Sequence, residues 1–189
     1  YFAKTKKMKT LSLHLFEITS NAVFYGANEL EIIVKDSPKE NIYSFEVKDN
    51  GSGIREENIE KVTDAFFTSR SSRKVGLGLA LTKMKAEQCG GGLEIKSSYG
   101  EETRVKFWFT HDNIDRPPLG EIEEVIVMSA TMKENINLKY KHTTDKGEYV
   151  FDTKAIRKVL DEVEISNIKI FKALKEMIKT NLEEISVNE

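Results

Sequence analysis

The run Val47-Lys48-Asp49-Asn50-Gly51-Ser52-Gly53-Ile54 sets one carboxylate beside two glycines, and Val75-Gly76-Leu77-Gly78-Leu79-Ala80-Leu81 follows it downstream. The first run offers a fixed carboxylate to a base edge. The second offers bare backbone amides to phosphates where a helix begins. Two glycine loops of such different chemistry imply a nucleotide site. A third piece lies upstream in His14-Leu15-Phe16-Glu17-Ile18-Thr19-Ser20-Asn21-Ala22-Val23-Phe24-Tyr25, where Glu17, Asn21 and Tyr25 recur every four positions and share one helix face.

Several classes of function are excluded by the bulk of the chain. Its 29 Lys and Arg against 31 Asp and Glu give a net charge of -2, without the basic excess of a phosphate-backbone reader, so no nucleic-acid partner is expected. The single cysteine, Cys89, rules out an internal disulfide framework and suits a reducing compartment. No apolar run approaches the roughly 20 residues of a membrane span, and no hydrophobic signal core opens the chain, so a cytoplasmic protein without membrane contact is expected. Residues 1–8 read as tag or upstream sequence, with Met8 as a natural start.

These residues need elements to position them. Leu11, Leu15, Ile18, Ala22 and Val23 predict a helix over residues 9–25. Leu30 to Lys35 and Tyr43 to Val47 predict an antiparallel hairpin around Asp36-Ser37-Pro38-Lys39. Residues 56–66 and 77–88 read as helices separated by a basic loop, and Leu93 to Ser97 with Arg104 to Phe109 as two further strands. The order predicts an α/β (α+β) fold: a two-layer sandwich with a mixed sheet and helices on one face. Asp115-Arg116-Pro117-Pro118-Leu119-Gly120 marks a boundary between a domain over 9–114 and a small α+β extension over 115–189. In that extension Leu119 to Ser129 reads as a helix, Ile136 to Thr143 and Glu148 to Asp152 as a hairpin. Ile156, Val159, Leu160 and Val163, then Phe171 to Ile185, follow as two amphipathic helices.

Over residues 9–112 the three motifs together resemble the GHKL superfamily of ATPases, in particular the ATP-binding domain of histidine kinases. The resemblance implies ATP and Mg²⁺ as cofactors. It makes Asn21 the magnesium ligand, because Mg²⁺ takes hard oxygens and completes its shell with phosphates and water. Tyr25 stands where related kinases stack a ring on adenine, an ordinary core aromatic being the equal alternative. Glu17 stands where related ATPases and serine kinases hold a general base, which must reach a water or hydroxyl near the γ-phosphate. His14, one turn earlier, is expected to support Glu17.

By the same resemblance Asp49 accepts the adenine amino group, with Thr103 beside it. Gly51, Gly53 and Ile54 pass close to the base. Phe67, Thr68, Arg70, Arg73 and Lys74 belong to a short lid over the triphosphate, and Gly76, Leu77 and Gly78 present amides to it. Two departures stand out. Phe24 replaces a phosphate-contacting Lys or Arg of many histidine kinases, and Lys74 replaces the first glycine of their longer run.

The resemblance thus implies Mg²⁺-dependent phosphoryl transfer from ATP to a partner protein in signal transduction. Only about a dozen residues precede the first motif, too few for a phosphoacceptor helical hairpin, whose helices need several turns each. The phosphoacceptor is therefore expected on another chain, with His111 and His142 taken as surface residues. The alternatives are an ATP-driven switch or slow ATPase acting by partner binding, and an anti-sigma-type serine kinase. The Arg116 to Gly120 junction and the tail also resemble stand-alone ATPases associated with iron hydrogenases. The tail's apolar helices suit either packing on the first domain or a homodimer.

Overall fold

In a computed structural model the described residues are 8–64, 77–161 and 163–186. Helix α1 spans Leu11–Phe24, with Thr10 as its N-cap: the Thr10 hydroxyl accepts from the Leu13 amide at 3.3 Å. Its apolar stripe, Leu11, Leu15, Ile18 and Ala22, is buried. Two further orphan amides of its first turn, those of Leu11 and Ser12, donate to Pro118 and Leu119 carbonyls at 2.9 Å each. The segment that reads as an interdomain boundary is therefore laid against the start of α1. Gly120 closes this contact at φ +77, where a Cβ would come within 2.6 Å of Ser12 Oγ.

The remaining elements are β1 (Glu29–Ser37), β2 (Ile42–Asp49), α2 (Glu56–Ile59), α3 (Leu77–Gln88), β3 (Gly92–Ser98), β4 (Glu102–Thr110), α4 (Ile122–Thr131), β5 (Asn137–Thr144), β6 (Glu148–Asp152), α5 (Thr153–Leu160) and α6 (Ile168–Ile185). The helix expected over 56–66 is, as far as Asp64, one α-turn followed by a 3-10 turn at Lys61–Thr63. It buries no side chain and has no side-chain cap at its start, so little holds a longer helix there. The α5 stripe is also shorter than its apolar residues suggest. Asp161 turns the chain at φ 54, and Val159 is 82 % exposed.

Among the described residues, the six strands join one mixed sheet in the order β3-β4-β2-β1-β5-β6. The pairs are antiparallel except β1 with β5, which run parallel in the register Ile32 to Tyr140. The tail therefore continues the sheet of the first domain. Alternate residues make the core: Ile32, Val47, Val105 and Tyr140 occupy matching positions across four strands and are buried. Phe45 and Phe107 stack at 4.8 Å within this layer. Helices α1, α3, α4 and α6 cover it, and α1 meets α4 through a buried Thr19–Ser129 hydroxyl pair at 3.0 Å. The opposite face carries Glu31, Lys48, Arg104 and Lys139 in register, as a solvated sheet face does.

Candidate functional site

A pocket of about 280 Å³ opens between α1, the loop after β2 and the turn joining β3 to β4. Asp49 sits at its floor because it is the last residue of β2, in register with Thr103 of β4. Both side chains are buried, at 7 % and 8 % exposure. Asp49 Oδ1 accepts the Gly51 amide at 2.8 Å. Burial lifts the Asp49 carboxyl above its ordinary value, against the pull of the Gly51 bond, and the Glu102 charge lifts it further.

The two loop glycines are required by contact. A Cβ on Gly51 would lie 2.8 Å from Asp49 Oδ1 and 3.2 Å from the Tyr25 carbonyl. Gly53 holds φ +65, and a Cβ there would collide with the Ser98 carbonyl and come within 2.8 Å of Tyr99 Cα. The loop is tied down on both sides: the Ser52 amide donates to the Tyr25 carbonyl at 3.0 Å, and Gly100 donates to the Ser52 carbonyl at 2.8 Å.

Ser97 joins these parts. Its hydroxyl donates to the Glu102 carbonyl at 2.7 Å, receives the Ile54 amide at 2.8 Å and pairs with Thr103 Oγ1 at 2.9 Å. Arg55 lies over the Tyr99 ring, 4.2 Å from its centroid, and donates to its hydroxyl at 3.2 Å, so the two form one lip of the pocket. Sequence reasoning missed Ser97, Arg55 and Tyr99. The only local signal was the Ser97-Ser98-Tyr99-Gly100 turn, and its approach to the Gly53 loop depends on strand order.

At the other end of the pocket α1 faces the start of α3. A Cβ on Gly78 would stand 3.4 Å from Glu17 Cβ, 3.5 Å from Glu17 Oε2 and 3.9 Å from Asn21 Nδ2. Glu17 is exposed and Asn21 half-buried. Tyr25, the C-cap of α1, lines the pocket at 42 % exposure and meets Phe24 edge-on at 5.2 Å, which sets aside the core-aromatic reading. One amide and one carboxylate beside the amide end of α3 suit a hard cation that draws most of its ligands from phosphates and water. Among the described residues no cluster of three or more His, Cys, Asp or Glu is gathered for a metal.

Asn21, Tyr25, Asp49, Gly53, Ile54 and Thr103 thus line one pocket, with Gly51 packed against Asp49 and Glu17 and Gly78 packed beside Asn21. Leu77 opens α3, whereas Phe67, Thr68, Arg70, Arg73, Lys74 and Gly76 lie outside the described residues. His14 does not support Glu17. It points to the facing helix, its Nδ1 2.9 Å from Thr82 Oγ1. Nor are the other histidines surface residues: His142 is buried against Tyr140, whose hydroxyl meets its Nδ1 at 2.6 Å, and His111 pairs with Asp36 at 2.9 Å. Among the described residues no helix is long and apolar enough to cross a membrane.

Residues 7–113 match the model of the histidine kinase-, DNA gyrase B- and HSP90-like ATPase family. The chain belongs to that family. A stretch of 99 residues, 50% of this chain and 11% of the relative, is 33% identical to the autoinducer 1 sensor kinase/phosphatase LuxN of Vibrio campbellii. Another of 108 residues, 53% of this chain and 33% of the relative, is 33% identical to the sensor histidine kinase YxdK of Bacillus subtilis. The chain therefore matches only a minor part of either sensor protein. Among solved structures, the N-terminal domain of a DNA repair protein superposes with a TM-score of 0.52 at 20% identity, over 75% of this chain and 51% of that one, a likeness of fold.

Proposed function

We propose that this chain binds Mg²⁺-ATP in the pocket between α1 and the Asp49 loop and directs its γ-phosphoryl group to a partner protein. The observation that carries the reading is one pocket lined by the buried Asp49–Thr103 pair and by Asn21. Beside Asn21, Glu17 lies against Gly78 at the start of α3.

In this reading Asp49 accepts the exocyclic amino group of adenine, and Thr103, held by Ser97, borders the same edge. Tyr25 covers the base from the α1 side, and Arg55 with Tyr99 covers it from the turn side. Asn21 holds Mg²⁺, which when bound neutralises phosphate charge. The α3 amides orient the phosphates, so positioning and electrostatics carry most of the catalysis. Glu17 accepts the proton of the attacking group.

That last role favours a second reading. A histidine acceptor is already nucleophilic, whereas a water or serine hydroxyl needs a base, so the carboxylate beside Gly78 suits a slow ATPase switch or a serine kinase. The partner, the cytoplasmic setting and any homodimer belong to the proposal as well.

The test incubates the protein with γ-labelled ATP and Mg²⁺, following free phosphate and label on protein together, with Glu17→Ala as control. Label on the chain itself marks a true kinase with an internal acceptor, and free phosphate lost in the variant supports the ATPase. Neither product with ATP bound points to an acceptor on a partner that is not in the assay. Absence of nucleotide binding overturns both.

A further inference from the structure

His14 is an expensive residue for its position. It is 2 % exposed, and its Nε2 has no hydrogen-bond partner among the described residues. A buried acceptor left without a partner is destabilising, so a leucine would fill the space at lower cost. Burial, aided by the Lys85 charge, pushes the imidazole down to about 4, so it is neutral around physiological pH. What the histidine supplies beyond volume is Nδ1.

The direction of that bond follows from its neighbour. Thr82 Oγ1 donates its only proton to the Gly78 carbonyl, at 2.8 Å. It therefore receives one from His14, and the imidazole carries its proton on Nδ1. The result is a directed chain, His14 Nδ1–H to Thr82 Oγ1–H to Gly78 C=O. Thr82 is fully buried, so water does not compete for these bonds.

Both ends of this chain bear on the pocket. His14 is one turn before Glu17 on α1, and Gly78 is the residue of α3 whose missing Cβ faces Glu17 and Asn21. The chain therefore fixes the first turn of α3 at a set distance from those two side chains. We infer that His14 and Thr82 are positioning residues that hold the amide end of α3 in register with Glu17 and Asn21, and so contribute to recognition of the ligand's phosphates but not of its base. This inference rests on the nucleotide reading given above.

The experiment titrates the full chain with adenosine and, separately, with Mg²⁺-ATP, in wild type, His14→Leu, Thr82→Val, His14→Asn and Thr82→Ser. Thermal melts report that each variant is folded, and Thr82→Val, isosteric with threonine, stands in if His14→Leu does not fold. Removing one buried bond is expected to weaken Mg²⁺-ATP binding about tenfold while adenosine binding stays within about twofold. Thr82→Ser keeps the hydroxyl, and His14→Asn can present an amide donor near the Nδ1 position. Both are expected to restore ATP affinity.

A loss specific to ATP with that rescue supports the inference, because a general packing defect would weaken both ligands or neither. Folded Leu and Val variants that bind ATP as wild type does, or that lose adenosine and ATP in parallel, overturn it. A wild-type chain that binds neither ligand overturns the nucleotide reading itself, and this inference with it.

Discussion

Asp49 Oδ1 accepts the amide proton of Gly51 at 2.8 Å, two residues along the chain, from a carboxylate that is only 7 % exposed. The bond folds the loop back on the residue it presents, and in the proposed site the second carboxylate oxygen, Oδ2, meets the adenine amino group. Asp49→Asn offers a donor there in place of an acceptor. Adenosine binding is expected to weaken by about 2 kcal/mol, roughly 30-fold, measured by calorimetry. Stability should move the other way. Because burial lifts the folded carboxyl above its ordinary value of 3.8, the folded chain holds this proton more tightly than the unfolded one. Ionised Asp49 thus lowers stability as pH rises through that raised value, and the neutral asparagine should melt higher at neutral pH.

Gly53→Ala and Gly100→Ala form a matched pair. Both glycines hold positive φ, but a Cβ on Gly100 meets nothing within 4 Å, whereas one on Gly53 collides with the Ser98 carbonyl. Gly100→Ala should cost about 1 kcal/mol from backbone conformation alone. Gly53→Ala adds overpacking and should cost about 2–4 kcal/mol. Urea midpoints read the difference, and only Gly53→Ala should also abolish adenosine binding.

Glu17→Gln keeps the side chain's shape and removes its basicity. Mg²⁺-ATP affinity is expected to stay within about twofold, while phosphate release or transfer falls by about 10²–10⁴. Retained turnover would remove Glu17 from the chemistry and leave it as a helix surface residue.

His14 and His142 should make the fold acid-sensitive well before the carboxylates do. Burial pushes both imidazoles from 6.5 down to about 4. Within that window the unfolded chain binds protons that the folded chain refuses. Stability is complete above 6.5 and falls with pH by roughly 1.4 kcal/mol per unit for each histidine. Urea unfolding across the window should show this slope, and His142→Asn should halve it.

The sequence exposed those parts of the site that are local along the chain. Glu17, Asn21 and Tyr25 share a helical stripe, and Asp49 with its glycines forms one loop, so spacing alone brought each set together. Across the strands legibility failed. Ser97 earns its three bonds from the β3–β4 register and from the approach of the Gly53 loop, neither of which a linear pattern encodes. His14 was drawn to the wrong partner for a related reason: Glu17 is its neighbour in sequence, but Thr82 is 68 residues away and directly across the helix interface. The segment from Glu56 to Asp64 misled because Glu56, Glu57 and Glu60 suit a helix start while Ile59 and Val62 are only half-buried.

The parallel pairing of β1 with β5 also sets an order of events for a chain leaving the ribosome. Glu29 and Asn137, hydrogen-bonded at the head of that pair, are 108 residues apart. Strands β1 and β2, and likewise β3 and β4, can close by short antiparallel returns, and β4 then pairs with β2, but until β5 arrives β1 is an open edge, free to pair with a neighbouring nascent chain. Closing so long a loop is slow, so this sheet should depend on chaperones more than its small size suggests.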